Sequence, residues 1–90
     1  MTLRKLEPQC FEFLKQYIDK KFNIESNILI ELGDTQGLRK AIDEVNNFKT
    51  ELGRLKARYD RGQESSCRKD FLNLRLEIIN FFRNTHEATN

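Results

Sequence analysis

The residues that could perform chemistry are few in this sequence and far apart. There is one histidine, His86, and there are two cysteines, Cys10 and Cys67. These positions offer neither a Cys–His nucleophile pair nor the close spacing of metal ligands. The adjacent carboxylates Asp43 and Glu44 lie in a charged stretch that is typical of a solvated helix face. We therefore predict a protein that is not an enzyme and that has no catalytic, cofactor-binding or metal-binding residues.

A second candidate feature is a set of arginines near the middle of the chain. Arg54, Arg58 and Arg61 are spaced by four and three residues, so on a helix they share one face. That face could meet phosphates or an acidic partner, or it could simply stabilise and solubilise the end of a helix. The whole chain has 16 basic and 14 acidic residues, a net charge of +2, so nucleic-acid binding is possible but is not the main expectation.

Helices must position these residues. The chain has 90 residues, which predicts one domain over 1–90, and 38% of them are hydrophobic. Valine occurs once, while leucine is abundant, and there are only four glycines and one proline. This composition favours helix over sheet.

The apolar spacing predicts an all-α bundle of three to four helices. A first helix is expected at about 8–22, with Pro8 in its first turn and with Lys20 and Lys21 in its last turn, where cations favour the helix end. A short helical element should follow, beginning at a Ser26 cap and ending at Gly33. Two longer helices, at about 35–61 and 65–83, should form an antiparallel hairpin because the connection between them is short. The first helix should pack across this hairpin, and residues 84–90 should be a frayed tail.

A heptad-like pattern gives the strongest signal. Seven-residue repeats run through the predicted helix at 35–61, and this seam should face the core or a second copy in a coiled coil. The seam consists of Leu38, Ala41, Val45, Phe48, Leu52, Leu55 and Tyr59.

Apolar residues exceed what one small bundle needs to cover. The last helix has a main stripe that includes Phe71 and Ile78, and a second apolar line made of Leu72, Leu76 and Ile79. Other helices of the chain could cover this second line. We expect instead that it is a docking surface for a helical domain of another protein or for a second copy of the chain.

Two stretches resemble the bacterial effector-associated domains, which are small, helical, death-like adaptor modules. The first runs from Ile28 through Gly33 and Asp34 to Val45, and the second from Leu55 through Arg58–Tyr59–Asp60 to Ile78–Ile79. The similarity covers residues 28–82. It implies an adaptor-like role through docking of helix faces, homotypic or heterotypic, and it implies no catalytic residues.

These observations lead to one main hypothesis and one alternative. The main hypothesis is a non-catalytic protein–protein interaction module that docks through Leu72, Leu76 and Ile79 and through the arginine face. The alternative is a small regulator that binds nucleic acid or the transcription machinery through the 54–61 face. Neither a secretory signal nor an apolar run of membrane-spanning length is apparent, so we expect a cytoplasmic protein with reduced cysteines and no membrane association.

Overall fold

The structure is an all-α bundle of three long helices, as the apolar spacing predicts. The computed structural model of the chain describes residues 6–88, with side chains described through Arg83. Helix α1 is Pro8–Leu32, α2 is Thr35–Asp60 and α3 is Glu64–Ala88. Each helix is antiparallel to the next, with α1 and α3 both packed against α2, and no strand occurs within residues 6–88.

The predicted break between the first helix and a short second element is wrong. Helix α1 continues without interruption through 23–27, where the sequence has neither proline nor glycine to stop it. Leu14, Ile18, Glu25 and Leu29 are all buried, and their spacing of four, seven and four residues keeps them on one helix face. The tertiary contacts of this face therefore extend the helix beyond Lys20 and Lys21, where its end was predicted.

The turn between α1 and α2 is short because two residues end one helix and begin the next. Gly33 adopts a left-handed conformation with φ of 70°, and the following Asp34 N–H donates to the Leu29 carbonyl oxygen at 2.9 Å. The Asp34 carboxylate in turn accepts a hydrogen bond from the Gly37 N–H at 2.9 Å, which caps α2. This turn forces α1 and α2 to run antiparallel as neighbours.

A left-handed glycine also begins the turn that joins α2 to α3. Gly62 has φ of 84°, and the next residue, Gln63, donates its N–H to the Arg58 carbonyl oxygen. Helix α3 begins at Glu64, close to the predicted start. Its backbone continues to Ala88, whereas the apolar pattern predicted an end at about 83, and residues 89–90 lie outside the described range. The predicted hairpin is thus confirmed, with a longer second arm.

The core contains the predicted heptad seam of α2 and the main stripe of α3. Leu38 and Tyr59, at the ends of the seam, are half-buried, while the seam residues between them are buried. The seam therefore faces the core of the same chain, because α1 and α3 cover it. The buried apolar residues are Leu6, Phe11, Leu14, Ile18, Leu29, Ala41, Val45, Phe48, Leu52, Leu55, Cys67, Phe71, Leu74, Ile78 and Phe82.

Aromatic contacts fix the relation between α1 and α3. The Phe11 ring lies edge-on to the Phe71 ring, with centroids 5.2 Å apart, and Tyr17 lies edge-on to Phe82 at 6.4 Å. Residue numbers rise together along both helices, so α1 and α3 run parallel. Their mutual contact is less extensive than the contact of either with α2, which leaves a groove between them.

Candidate docking surface

The structure places the two predicted surfaces on different sides of the bundle. Arg54 and Arg58 lie over the groove between α2 and α3, beside Asp70 and Glu77. Leu72, Leu76 and Ile79 lie on the opposite side of α3, and Ile79 faces α1. The two sets are therefore not brought together into one site.

Carboxylates accompany the arginine face. The Arg54 guanidinium contacts the Glu51 carboxylate at 2.8 Å, and Arg58 contacts the Asp70 carboxylate at 2.8 Å and the Ser66 hydroxyl at 3.2 Å. Arg61 is exposed at the end of α2. A phosphate approaching this face would have to displace carboxylates that already accept from the arginines, which lowers its attraction for nucleic acid.

The groove between α1 and α3, here called the α1/α3 groove, is a mainly apolar concave surface. It consists of two adjoining hollows of about 310 and 440 Å³, both open to solvent, and Tyr17 and Ile79 line both of them. The first hollow is also lined by Cys10, Phe13, Leu14, Phe71 and Arg75, and the second by Lys21, Ile24, Glu25, Phe82 and Arg83.

Large apolar side chains stand exposed along this groove. Phe13 is 65% exposed and Ile24 is 46% exposed on the α1 side. Leu72 and Leu76 are exposed on α3, Leu76 at 59%, but neither of these predicted surface residues lines the two hollows. Single exposed apolar residues are ordinary on a protein surface, but Phe13 and Ile24 beside a continuous apolar groove are typical of a surface that binds another molecule.

Glu25 is the unusual group in this groove. Only 4% of the residue is exposed, and its Oε1 atom has no hydrogen-bond partner within the described part of the chain. A buried carboxylate oxygen without a donor costs free energy relative to its hydrated state. Glu25 therefore provides the groove with an unused hydrogen-bond acceptor.

Sequence reasoning missed both Glu25 and the contribution of Ile24. The helix was expected to end at about 22, so both residues appeared to lie in a connection. One signal was available, because Glu25 follows Ile18 by seven residues and precedes Leu29 by four, and so occupies a core position. A polar residue at such a position is the pattern that marks an unusual site.

The described residues contain no group of His, Cys, Asp or Glu side chains that could hold a metal ion. Cys10 and Cys67 are both free thiols. Cys10 is half-buried in the groove wall, whereas Cys67 is buried in the core, where burial raises the pKa of its thiol and the nearby Arg58 guanidinium offsets part of that rise. Within residues 6–88, no helix is long and apolar enough to cross a membrane.

The chain was compared with known proteins at the level of family, sequence and structure. It matches no protein-family model, no curated protein and no solved structure.

Proposed function

We propose that this protein is a non-catalytic docking module whose α1/α3 groove receives a helix of a protein partner. The observation that carries the proposal is the continuity of the groove: two apolar hollows share Tyr17 and Ile79 and are bordered by exposed Phe13 and Ile24. A helix laid along such a groove would bury these side chains, and helix-in-groove recognition uses surfaces of this kind.

The adaptor-like role implied by the resemblance to effector-associated domains agrees with this proposal. The unpaired state of Cys10 and Cys67 suits a reducing compartment, and we place the module in the cytoplasm on that ground. The competing nucleic-acid hypothesis has less support, because Arg54 and Arg58 already form ion pairs with Glu51 and Asp70.

The test is Phe13→Glu, with Leu32→Glu as a matched control. Phe13 and Leu32 are 65% and 64% exposed and both lie on α1, but Phe13 lines the groove, whereas Leu32 lies at the end of α1 and does not. Both variants should fold, since each changes an exposed residue. Circular dichroism melting curves would check this.

Affinity capture from cells of the source organism and light scattering across concentration and salt would then compare the three proteins. We expect wild type and Leu32→Glu to retain the same partner or the same oligomer, and Phe13→Glu to lose it. Equal retention by all three proteins, or equal loss by both variants, would contradict a docking role for the groove.

A further inference from the structure

The charges around the α1/α3 groove are unevenly distributed. Lys21, Arg75 and Arg83 line the groove, and Glu25 is the only carboxylate residue among its lining residues. The described ion pairs lie elsewhere: they connect α2 to α1, connect α2 to α3 or lie within α2. The groove therefore has an apolar floor and a basic border.

Two of the border cations have no carboxylate partner among the described side chains. The Lys21 ammonium lies 5.7 Å from the Tyr17 ring centroid, a cation–π contact, and forms no ion pair there. Arg75 is exposed and forms neither an ion pair nor a hydrogen bond within the described residues. Both are free to pair with carboxylates that an incoming molecule supplies.

We propose, on the basis of the docking function above, that the occupant of the groove is an acidic amphipathic helix of another protein. Its apolar stripe lies on Tyr17 and Ile79, carboxylates on its flanks pair with Lys21 and Arg75, and one donor side chain hydrogen-bonds Glu25. The partner helix thereby covers the apolar floor of the groove, pairs with its two free cations and donates a hydrogen bond to the unpartnered carboxylate oxygen.

Glu25 distinguishes a protein helix from a phosphate-bearing surface. An anionic membrane or a nucleic-acid backbone would also be attracted to Lys21 and Arg75. Its phosphates, however, are acceptors and anions, so they would leave the Glu25 oxygen without a donor and would repel it. A peptide helix with a serine, threonine or lysine at the right position satisfies the same oxygen.

A second copy of this chain fits the groove less well. Two such faces pressed together would bring Lys21 and Arg75 of one copy close to the same residues of the other. Each copy would offer only Glu25 in compensation, and like charges across an interface disfavour association. A partner with carboxylates at its border avoids this repulsion.

The spacing of the groove residues sets the register of the partner helix. Tyr17 and Glu25 are eight residues apart on α1, about 12 Å at 1.5 Å per residue. A helix lying along α1 would therefore carry its donor about two turns from the apolar residue that covers Tyr17. Because Phe13 lies a further turn away, the distance from Phe13 to Glu25 along α1 is about 18 Å. A helix of about 13 residues covers it, and one of about 18 residues extends beyond it at both ends.

The test uses synthetic helical peptides of about 18 residues as the probe. All have the same leucine stripe and a serine about two turns from its centre, and they differ only in carrying glutamate or lysine on both flanks. Binding is measured by fluorescence anisotropy to wild type, to Lys21→Glu/Arg75→Glu, and to Arg54→Glu/Arg61→Glu. The last variant has the same net charge as the second, but its changes lie away from the groove.

We expect wild type to bind the glutamate-flanked peptide about ten-fold more tightly than the lysine-flanked one, because two border ion pairs are exchanged for two repulsions. Lys21→Glu/Arg75→Glu should invert this preference, and the control variant should keep it. If the double variant fails to fold, Arg75→Gln should reduce the preference, and added salt should reduce it in wild type.

Equal affinities for the two peptides would overturn the proposal, as would no binding of the glutamate-flanked peptide at about 1 mM. Binding of anionic vesicles or duplex DNA that is lost in Arg75→Gln, without peptide binding, would assign the groove to phosphates and also overturn it. In either case, the docking function would still hold, with a different occupant, if Phe13→Glu abolishes binding of a partner or formation of an oligomer and Leu32→Glu retains it.

Discussion

Replacing Glu25 by methionine should stabilise the free protein while weakening its docking. The residue is 4% exposed and its Oε1 atom has no hydrogen-bond partner in the described structure. A buried polar group without a partner costs about 1–3 kcal/mol. Methionine is an unbranched, flexible side chain that can fill the same space with apolar atoms. We therefore expect the free energy of unfolding to rise by about 1–2 kcal/mol.

Urea unfolding followed by circular dichroism would measure this change. For a domain of this size, an increase of about 1–2 kcal/mol corresponds to a rise in Tm of about 4–15 °C, with little change in the dependence of the free energy on urea. Glu31→Met is the matched control, because Glu31 is an exposed glutamate on the same helix. Its stability should stay within about 0.5 kcal/mol of wild type.

The same variant should remove one contact from the docking interface. A glutamate-flanked peptide with the serine donor should bind wild type more tightly than the same peptide with alanine there, and Glu25→Met should bind both equally. A lower or unchanged stability of Glu25→Met would refute the reasoning, since it would mean that the Glu25 carboxylate is satisfied in the free protein.

Two further predictions concern the framework. Gly53 lies inside α2, and a Cβ there would meet no atom within 4 Å, so Gly53→Ala should raise the free energy of unfolding, measured in urea, by about 1 kcal/mol. Gly62 has a φ of 84°, which disfavours a side chain, so Gly62→Ala should lower the free energy of unfolding. A change of the same sign in both variants would contradict this account. The pKa of the buried Cys67 thiol is raised, so as the pH increases the thiol loses its proton in the unfolded chain before it does so in the folded protein. The free energy of unfolding should therefore fall above about pH 9, and more steeply in wild type than in Cys67→Ala. An equal dependence of the free energy of unfolding on pH in the two proteins would contradict this.

Local sequence patterns were sufficient for α2, for the start of α3 and for most of the core. The heptad seam from Val45 to Leu55 is buried as its spacing predicts, because a seven-residue apolar repeat stays on one face of a helix. Gly33 and Gly62 end α1 and α2 at the places where a left-handed residue is needed. These features depend on residues that are close in sequence, and so they can be predicted from the sequence alone.

The end of α1 could not be predicted in the same way. Lys20 and Lys21 suggested a helix end, but the burial of Glu25 and Leu29 continues the helix beyond them. Local signals for a helix end contribute a few tenths to about 1 kcal/mol each, whereas burying a leucine contributes about 1.5–3 kcal/mol. Tertiary packing therefore decides where this helix ends.

The sequence by itself determined that this protein is a helical bundle with a surplus of apolar residues on its last helix, including Leu72, Leu76 and Ile79. Only the tertiary structure decided that Ile79 faces α1 across an open groove, that Arg58 forms an ion pair with Asp70, and that the Glu25 Oε1 atom is buried with no hydrogen-bond donor among the described residues. Spacing along a helix specifies which residues share a face. Which face meets which depends on how whole helices pack, and that packing joins residues distant in sequence.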